Sequence, residues 1–436
     1  QSAVSARFGR LGWRMMVIDN SSVLGLPAMR AAELLHPLGC GDLDAEKTLA
    51  FIIWSHLCEP GDMLASQLVD KLGPTRALGC LRSVHPEPQL LAALAQVDSA
   101  DELVCSGPEG ESELREACLR WKARDNNSAV VRSLELWTRL GGQIITPDSS
   151  DWPETLGDLG FGRPHVLWLR GNRSALTSLV SAVSVVGSRN ISSYGQHVAQ
   201  ELADHLVRGG YSVVSGGAYG IDAEAHRGAL AAEGVTIAVM AGGGDRLYPV
   251  GNTALLNEVM QRGCVLAELP PGNSPTRWRF LQRNRLIAAL GEVTVIVEMA
   301  IRSGAKNTMN HASQIGRDVY AVPGSIVSQT ARGCNIAIAE GRAKIVTGFD
   351  ELLREIAGFG PDFGEQAELN ALQQRVLDSL TTMPVSPTRL SIKAGTSQAE
   401  TIAALGQLAA LGLANSRPTG WRRTKPLSPS DPNLEG

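Results

Sequence analysis

Four arginines, Arg277, Arg279, Arg283 and Arg285, fall within nine residues with no acid among them, and Trp278 and Phe280 are interleaved. Guanidinium groups neutralise phosphates and aromatic faces stack on bases, so this run has the chemistry to hold a nucleic-acid strand. The bland alternative is a solvated helix start with core aromatics. Three further cations, Arg189, Arg302 and Lys306, each follow an apolar run that reads as a strand. Together they favour a polyphosphate or a nucleic-acid strand over one small anion.

Glycines mark where such a ligand would lie. Gly187-Ser188-Arg189 follows one apolar run, Gly216-Gly217-Ala218-Tyr219-Gly220 the next, and Gly242-Gly243-Gly244 a third. Arg302-Ser303-Gly304 with Lys306, and Pro323-Gly324-Ser325, follow two later ones. Backbone N–H groups beside glycine can approach an anion closely, and helix N-termini add partial positive charge. Ser188, Ser215 and Ser303 add hydroxyl donors. One such loop is only a tight turn; several on one edge of a sheet make an anion site.

Signs of catalysis are sparse. Asp222 and His226 stand four apart at a helix start and could do acid–base work. An Asp in a first helical turn also complements the helix N-terminus, and His226 can simply bond a neighbouring loop; the structural reading is preferred. Glu298, at a strand end, is expected to orient arginines. There is no G-x-S-x-G, no G-x-x-x-x-G-K-[ST] and no G-x-G-x-x-G after residue 187. Histidines lack metal-ligand spacing. No enzyme activity, cofactor or metal is expected.

The elements that must position these residues alternate from residue 141 onward. Strands are expected at Val183–Val186, Ser212–Ser215, Val235–Met240, Cys264–Ala267, Val293–Glu298, Val319–Val322 and Lys344–Val346. Helices are expected at Tyr194–Arg208, Asp222–Glu233, Thr253–Arg262 and Thr308–Gly316. Short apolar strands joined by helices mean a doubly wound parallel sheet, an α/β fold whose ligands lie beyond the strands' carboxyl ends. Two shorter strands, Ile144–Thr146 and Val166–Leu169, precede it.

Upstream, residues 1–140 read as a helical domain, with 1–20 outside it and Met15 or Met16 as the expected start. Asp62 to Leu72, then Gly73-Pro74-Thr75, reads as helix, turn, helix within a small bundle. Acids at Asp98, Asp101, Glu102, Glu109, Glu111 and Glu113 make this region a poor polyanion surface. Residues 141–356 form the sheet domain and 357–368 a linker. Residues 369–425 carry helical patterns at Ala371–Leu380, Pro387–Lys393 and Gln398–Leu411, then a basic stretch from Arg417 to Lys425. That arrangement suggests a winged helix, followed by a tail, 426–436.

Composition bounds the rest. The 436 residues suit two or three domains, with 44% hydrophobic and 19% charged residues. Forty basic against 44 acidic residues give a formal charge of −4, which excludes a globally basic nucleic-acid binder; any basic site is local. Glycine is frequent at 46, in keeping with backbone-lined loops, and seven scattered cysteines without C-x-x-C read as reduced thiols. No apolar run is long enough to span a bilayer. A cytoplasmic protein is expected.

The ordered runs VVGSRNISSYG (185–195), SGGAYGIDAEAHRGAL (215–230), LYP with Asn252, RFLQRNRLIAAL (279–290), SGAKNT and AVPGS resemble the DNA-processing protein A family, also called DprA or Smf. The resemblance covers about 170 residues of the chain. It implies an extended Rossmann-like sheet, a homodimer, no established reaction, and a protein that binds single-stranded DNA, protects it during natural transformation and loads RecA recombinase onto it. By motif, Gly187, Ser188 and Arg189 would contact phosphate, and Ser215, Gly216, Gly217 and Gly220 would form a second anion loop. Arg283, Asn284 and Arg285 match the family's R-N-R element; Ser303, Gly304 and Lys306 fall on its S-G loop; Phe280 is the stacking candidate. Ala267, Leu281, Gly217 and Tyr219 depart from the family pattern without removing a cation.

The alternative is a nucleotide sensor or a phosphoribohydrolase using P-G-G-x-G-T-x-x-E. Pro323-Gly324-Ser325-Ile326 lacks that glycine run and its Glu. If Arg285 touches phosphate, Arg285→Ala should weaken binding to all single strands alike.

Overall fold

The computed structural model describes residues 22–97, 107–358, 369–381, 384–410, 413–417 and 420–423. The expectations for residues 1–20, for Asp98, Asp101 and Glu102, for most of the linker and for the tail lie outside them. Two compact units emerge, divided after Ile356. The helical region and the sheet lie within the first of these units.

A two-residue pairing of β1 (Ser22–Val23) with β2 (Leu26–Pro27) leads into α1 (Ala28–Leu35). Then come α2 (Ala45–Leu57), α3 (Met63–Leu72), α4 (Pro74–Arg82), α5 (Pro86–Leu94), α6 (Gly107–Arg124) and α7 (Asn127–Arg139). Local chemistry sets the boundaries. Asp44 and Asp62 cap α2 and α3 by accepting from the amides of Lys47 and Ala65. Pro74 occupies the first position of α4, where its missing N–H costs nothing. Every residue of α2 from Thr48 to Ser55 is buried, as in a helix packed on all sides. Trp54 at its centre meets Trp121 edge-to-face at 5.4 Å and donates its indole N–H to the Pro74 carbonyl.

The sheet comprises β3 (Gln143–Ile145), β4 (Leu167–Gly171), β5 (Ala182–Val186), β6 (Ser212–Ser215), β7 (Thr236–Met240), β8 (Cys264–Ala267), β9 (Val293–Ile296), β10 (Asp318–Ala321) and β11 (Lys344–Ile345). Its order is β11-β10-β9-β5-β6-β7-β8-β4-β3. The strands from β5 to β11 are parallel, with Val183 paired to Val213 on one side and to Val293 on the other. At one edge β4 pairs antiparallel with β8 and β3 antiparallel with β4, so within this sheet β4 alone runs against the parallel strands. The expected doubly wound sheet is present.

The connecting helices are α8 (Ser193–Arg208), α9 (Ile221–Ala231), α10 (Thr253–Arg262), α11 (Arg277–Leu290), α12 (Ala305–Gln314), α13 (Arg332–Ala339) and α14 (Phe349–Ile356). Strand side chains alternate between faces. Ile237 and Val239 of β7 join the core under α11 and α12, whereas Ala238 and Met240 join the core built by the N-terminal helices. Val183, Val185 and Val213 pack against α8 and α9. The helical region thus covers the β7-β8-β4 part of one sheet face, with Trp137 edge-to-face on Trp168 of β4 at 5.7 Å.

The second unit contains α15 (Ala371–Ser379), α16 (Pro387–Ala394), α17 (Gln398–Ala410) and an antiparallel hairpin of β12 (Ala414–Arg417) with β13 (Gly420–Arg423). Val385 bridges to Trp421. All three helices match the sequence expectation within one residue.

Three histidines are held uncharged by burial in the first unit: His56, pushed down to about 4 by burial, and two in the core. Burial pushes the His165 imidazole down to about 4, helped by Arg163 and Arg285, and His226 down to about 3, helped by Arg283 and Arg227. In the unfolded chain all three take protons below about pH 6.5, while the folded protein holds them neutral. Stability is therefore full above that pH and is lost as pH falls toward 4. Between pH 6.5 and 5.0 His165 and His226 should together cost about 3 kcal/mol. Urea unfolding at pH 7.5 and 5.0 checks this: the midpoint should drop at pH 5.0, and less so in His165→Gln. An unchanged midpoint would contradict neutral burial.

Candidate nucleic-acid interface

The chain winds outward from β5 through β6, β7 and β8, then α11 carries it back across the sheet to β9 on the other side of β5. The order of strands reverses between β5 and β9. In open parallel sheets the loops leaving two such strands diverge and leave a crevice at their carboxyl ends. A cleft of about 950 Å³ lies there. Its walls are the loop after β5, the loop leading from β9 into α12, and the first two turns of α11.

Nine of the fourteen expected residues line it: Gly187, Ser188, Arg189, Phe280, Arg283, Asn284, Ser303, Gly304 and Lys306. Arg277 and Arg302, part of the basic set read from sequence, join them. Arg189, Arg277, Arg302 and Lys306 are exposed, and none forms an ion pair with a carboxylate of the described residues. Arg277 also stands at the electropositive start of α11, where the helix dipole adds to its charge.

Phe280 meets two guanidinium groups of the cleft. The guanidinium of Arg189 lies over its ring at 4.7 Å and that of Arg283 at 5.6 Å. Tyr248 approaches at 5.8 Å, ring centre to ring centre. Trp278 sits two positions before Phe280, about 200° round the helix, and does not line the cleft. Its large exposed face belongs to another surface.

Arg283 is buried and donates to the carbonyls of Gly216 after β6 and Val239 in β7, the former at 2.7 Å. Burial lowers its pKa to about 10, against the pull of Asp222, so it stays cationic at neutral pH. A Cβ on Gly216 would collide with this guanidinium, which accounts for the glycine. Asn284 donates to Asn307 at 3.1 Å and ties α11 to α12.

The second loop needs correction. Ser215, Gly216, Gly217 and Gly220 do not line the cleft as an open anion cradle. The Ser215 hydroxyl is buried and donates to the Val185 carbonyl at 2.6 Å. The amides of Gly216 and Ala218 point to the carboxylate of Asp222. Burial raises the Asp222 pKa, while Arg283 and these amides pull it back. The amide donors of this loop are thus taken up by a carboxyl group of the chain itself. Gly220, at φ +82°, lies where a Cβ would strike the Ser188 carbonyl, so it joins the two loops.

Arg285 is likewise corrected. Its guanidinium forks onto Glu268 at 2.6 and 2.8 Å and donates to the Gly162 carbonyl, away from the cleft. One residue from the cleft-lining Asn284, it turns about 100° round the helix. Arg279 is also withdrawn, held by Glu59 of the helical region and the Ser274 carbonyl. Glu298 orients no arginine; it accepts from the backbone and hydroxyl of Ser192, the α8 cap, and from Thr330. Asp222 and His226 do not act as a pair, because His226 is sealed and bonds Thr236 at 2.7 Å. Sequence reasoning missed Tyr248 as a site residue, although it lies in the LYP run.

The family model of DNA recombination-mediator protein A matches residues 143–357. A DprA protein of Mycobacterium tuberculosis (strain ATCC 25618 / H37Rv) is 37% identical over 364 residues, which span 78% of this chain and 92% of that protein. The DNA processing protein DprA of Streptococcus pneumoniae is 39% identical over 208 residues, 47% of this chain and 71% of that one. The X-ray structure of DprA from Streptococcus pneumoniae aligns with a TM-score of 0.50 at 29% identity, over 67% of this chain and 97% of that one.

The geometry makes Arg285 a structural residue. Removing one partner of a buried ion pair strands the other charge, at a cost of about 3–5 kcal/mol. Arg285→Ala should lower the urea midpoint by that equivalent. A variant as stable as the parent would return Arg285 to the surface role.

Proposed function

Because the chain belongs to the DNA recombination-mediator protein A family, we propose that its switch-point cleft holds single-stranded DNA during recombination. The observation that carries this reading is the set of four exposed cations, Arg189, Arg277, Arg302 and Lys306, none ion-paired among the described residues, that line one cleft with the ring of Phe280. Cations spaced along a cleft follow a sugar–phosphate backbone. An aromatic ring between them takes a base, and only an unpaired base can leave its stack to reach it. Arg189 occupies the ring of Phe280 in the free protein, so it must give way to the base and remain beside the adjoining phosphate.

Gly187, Ser188, Asn284, Ser303 and Gly304 are read as the polar floor under that strand. Arg283 acts through charge and by seating Phe280. Ser215, Gly216, Gly217 and Gly220 act indirectly, by holding Asp222 against Arg283. The family resemblance extends the proposal to protection of the strand, delivery to RecA recombinase and a homodimeric assembly. The three helices and hairpin of the second unit are read as a winged helix.

Fluorescence anisotropy with a labelled oligo-dT and a matching duplex, over a salt series, tests the cleft. The single strand should bind more tightly. With about 0.7 counterions released per phosphate, four contacts give a log–log salt slope near −3. Arg189→Ala with Lys306→Ala should weaken binding about tenfold or more and flatten the slope by about 1.4. Equal binding by the double variant and the parent would overturn the assignment. RecA delivery has its own readout: RecA ATPase on a strand coated with single-strand-binding protein should start sooner when this chain is added.

A further inference from the structure

Beyond the cleft, two exposed tyrosines continue its aromatic surface. Tyr248 touches Phe280 and lines the cleft; Tyr219 lies in the loop after β6. They are 44% and 49% exposed, unusually open for large rings that the backbone holds in place. The Tyr219 hydroxyl accepts from the Gly251 amide at 3.2 Å, three residues after Tyr248. A Cβ on Gly251 would run into the Tyr219 ring edge, so the glycine permits that seat. Asn252 then donates to the carbonyls of Gly217 and Ala218 at 3.0 and 3.1 Å, locking the Tyr219 loop to the Tyr248 loop.

Phe280 and Tyr248 thus stand ring beside ring in the cleft, and Tyr219 is tied by its hydroxyl to the loop three residues past Tyr248. Tyr219 cannot serve as a packing residue, since about half of it faces solvent. Nor does it supply charge. Its hydroxyl is already committed to Gly251, which leaves the ring face as its free asset. Rings immobilised at the mouth of a cation-lined cleft match the stacking platforms on which successive unpaired bases rest.

We infer that Tyr248 and Tyr219 form a second base-stacking subsite, which extends the single-stranded DNA footprint from the switch-point cleft across the β6 loop. This rests on the cleft reading above. It makes the footprint longer than the cation set and insensitive to base identity, because every base has a π-face.

Oligo-dT of increasing length, with 2-aminopurine placed at successive positions, separates the two sites. In the parent, affinity should climb again beyond the length that fills the cleft, with 2-aminopurine quenched at the added positions. Tyr219→Ala should lose about tenfold on the long oligomer and little on the short one, whereas Tyr248→Ala, whose ring also lines the cleft, should lose on both, with the salt slope unchanged. Tyr248→Phe should restore binding, and Trp278→Ala should bind as the parent does. Circular dichroism melts establish that the variants fold. If the Tyr219→Ala, Tyr248→Ala double variant binds the long oligomer like the parent, the subsite is wrong while the cleft stands. If the parent binds neither length, both readings fall.

Discussion

The architecture of the cleft hangs on one buried charge. Arg283 sits inside the wall of the cleft and reaches the carbonyls of Gly216 and Val239, so it ties α11 to the ends of β6 and β7. An unbalanced guanidinium in that place would be costly, and Asp222, held by the amides of Gly216 and Ala218, balances it. Phe280 then rests beside Arg283, and Arg189 over Phe280. The exposed Arg189 is thus stacked on a ring that a buried arginine seats. Preorganisation of this kind spares a ligand the cost of ordering the side chains that meet it.

Topology decides where that layer can exist. The crossover through α11 takes the chain from β8 back past β5 to β9 and opens the crevice between their loops. The same helix carries Arg277, Phe280 and Arg283 into the crevice on its first turns. Its later residues, from Leu286 to Leu290, are buried in the core beneath. The N-terminal helices brace it from outside through Glu59, which holds Arg279, while Glu268 holds Arg285. Two of the four clustered arginines thus serve architecture, and the other two build the cleft.

Much of this was legible in the residues alone. Apolar runs of four to six residues ending in glycine marked the parallel strands and their functional edge within one or two positions. That works because strand burial and tight turns are local demands on residue type. The helical region was legible too, but its packing onto the sheet was not, since Trp137 meets Trp168 only in the folded chain. The division between Asn284 and Arg285 was also hidden. Adjacent residues on a helix differ by about 100° in direction, and only the packed helix decides which direction is solvent.

Fold class, family and the residue types gathered at the strand ends could be read from the chain alone, because periodicity, glycine placement and motif order are properties of the chain. The tertiary structure alone decided which donors remained free. Amides that could have met a phosphate were claimed by Asp222, Arg279 was claimed by a glutamate 220 positions away, and Arg285 by Glu268. Hydrogen bonds and ion pairs are spent on whichever partner folding brings within about 3 Å, and that partner is set by the whole packing rather than by any local pattern.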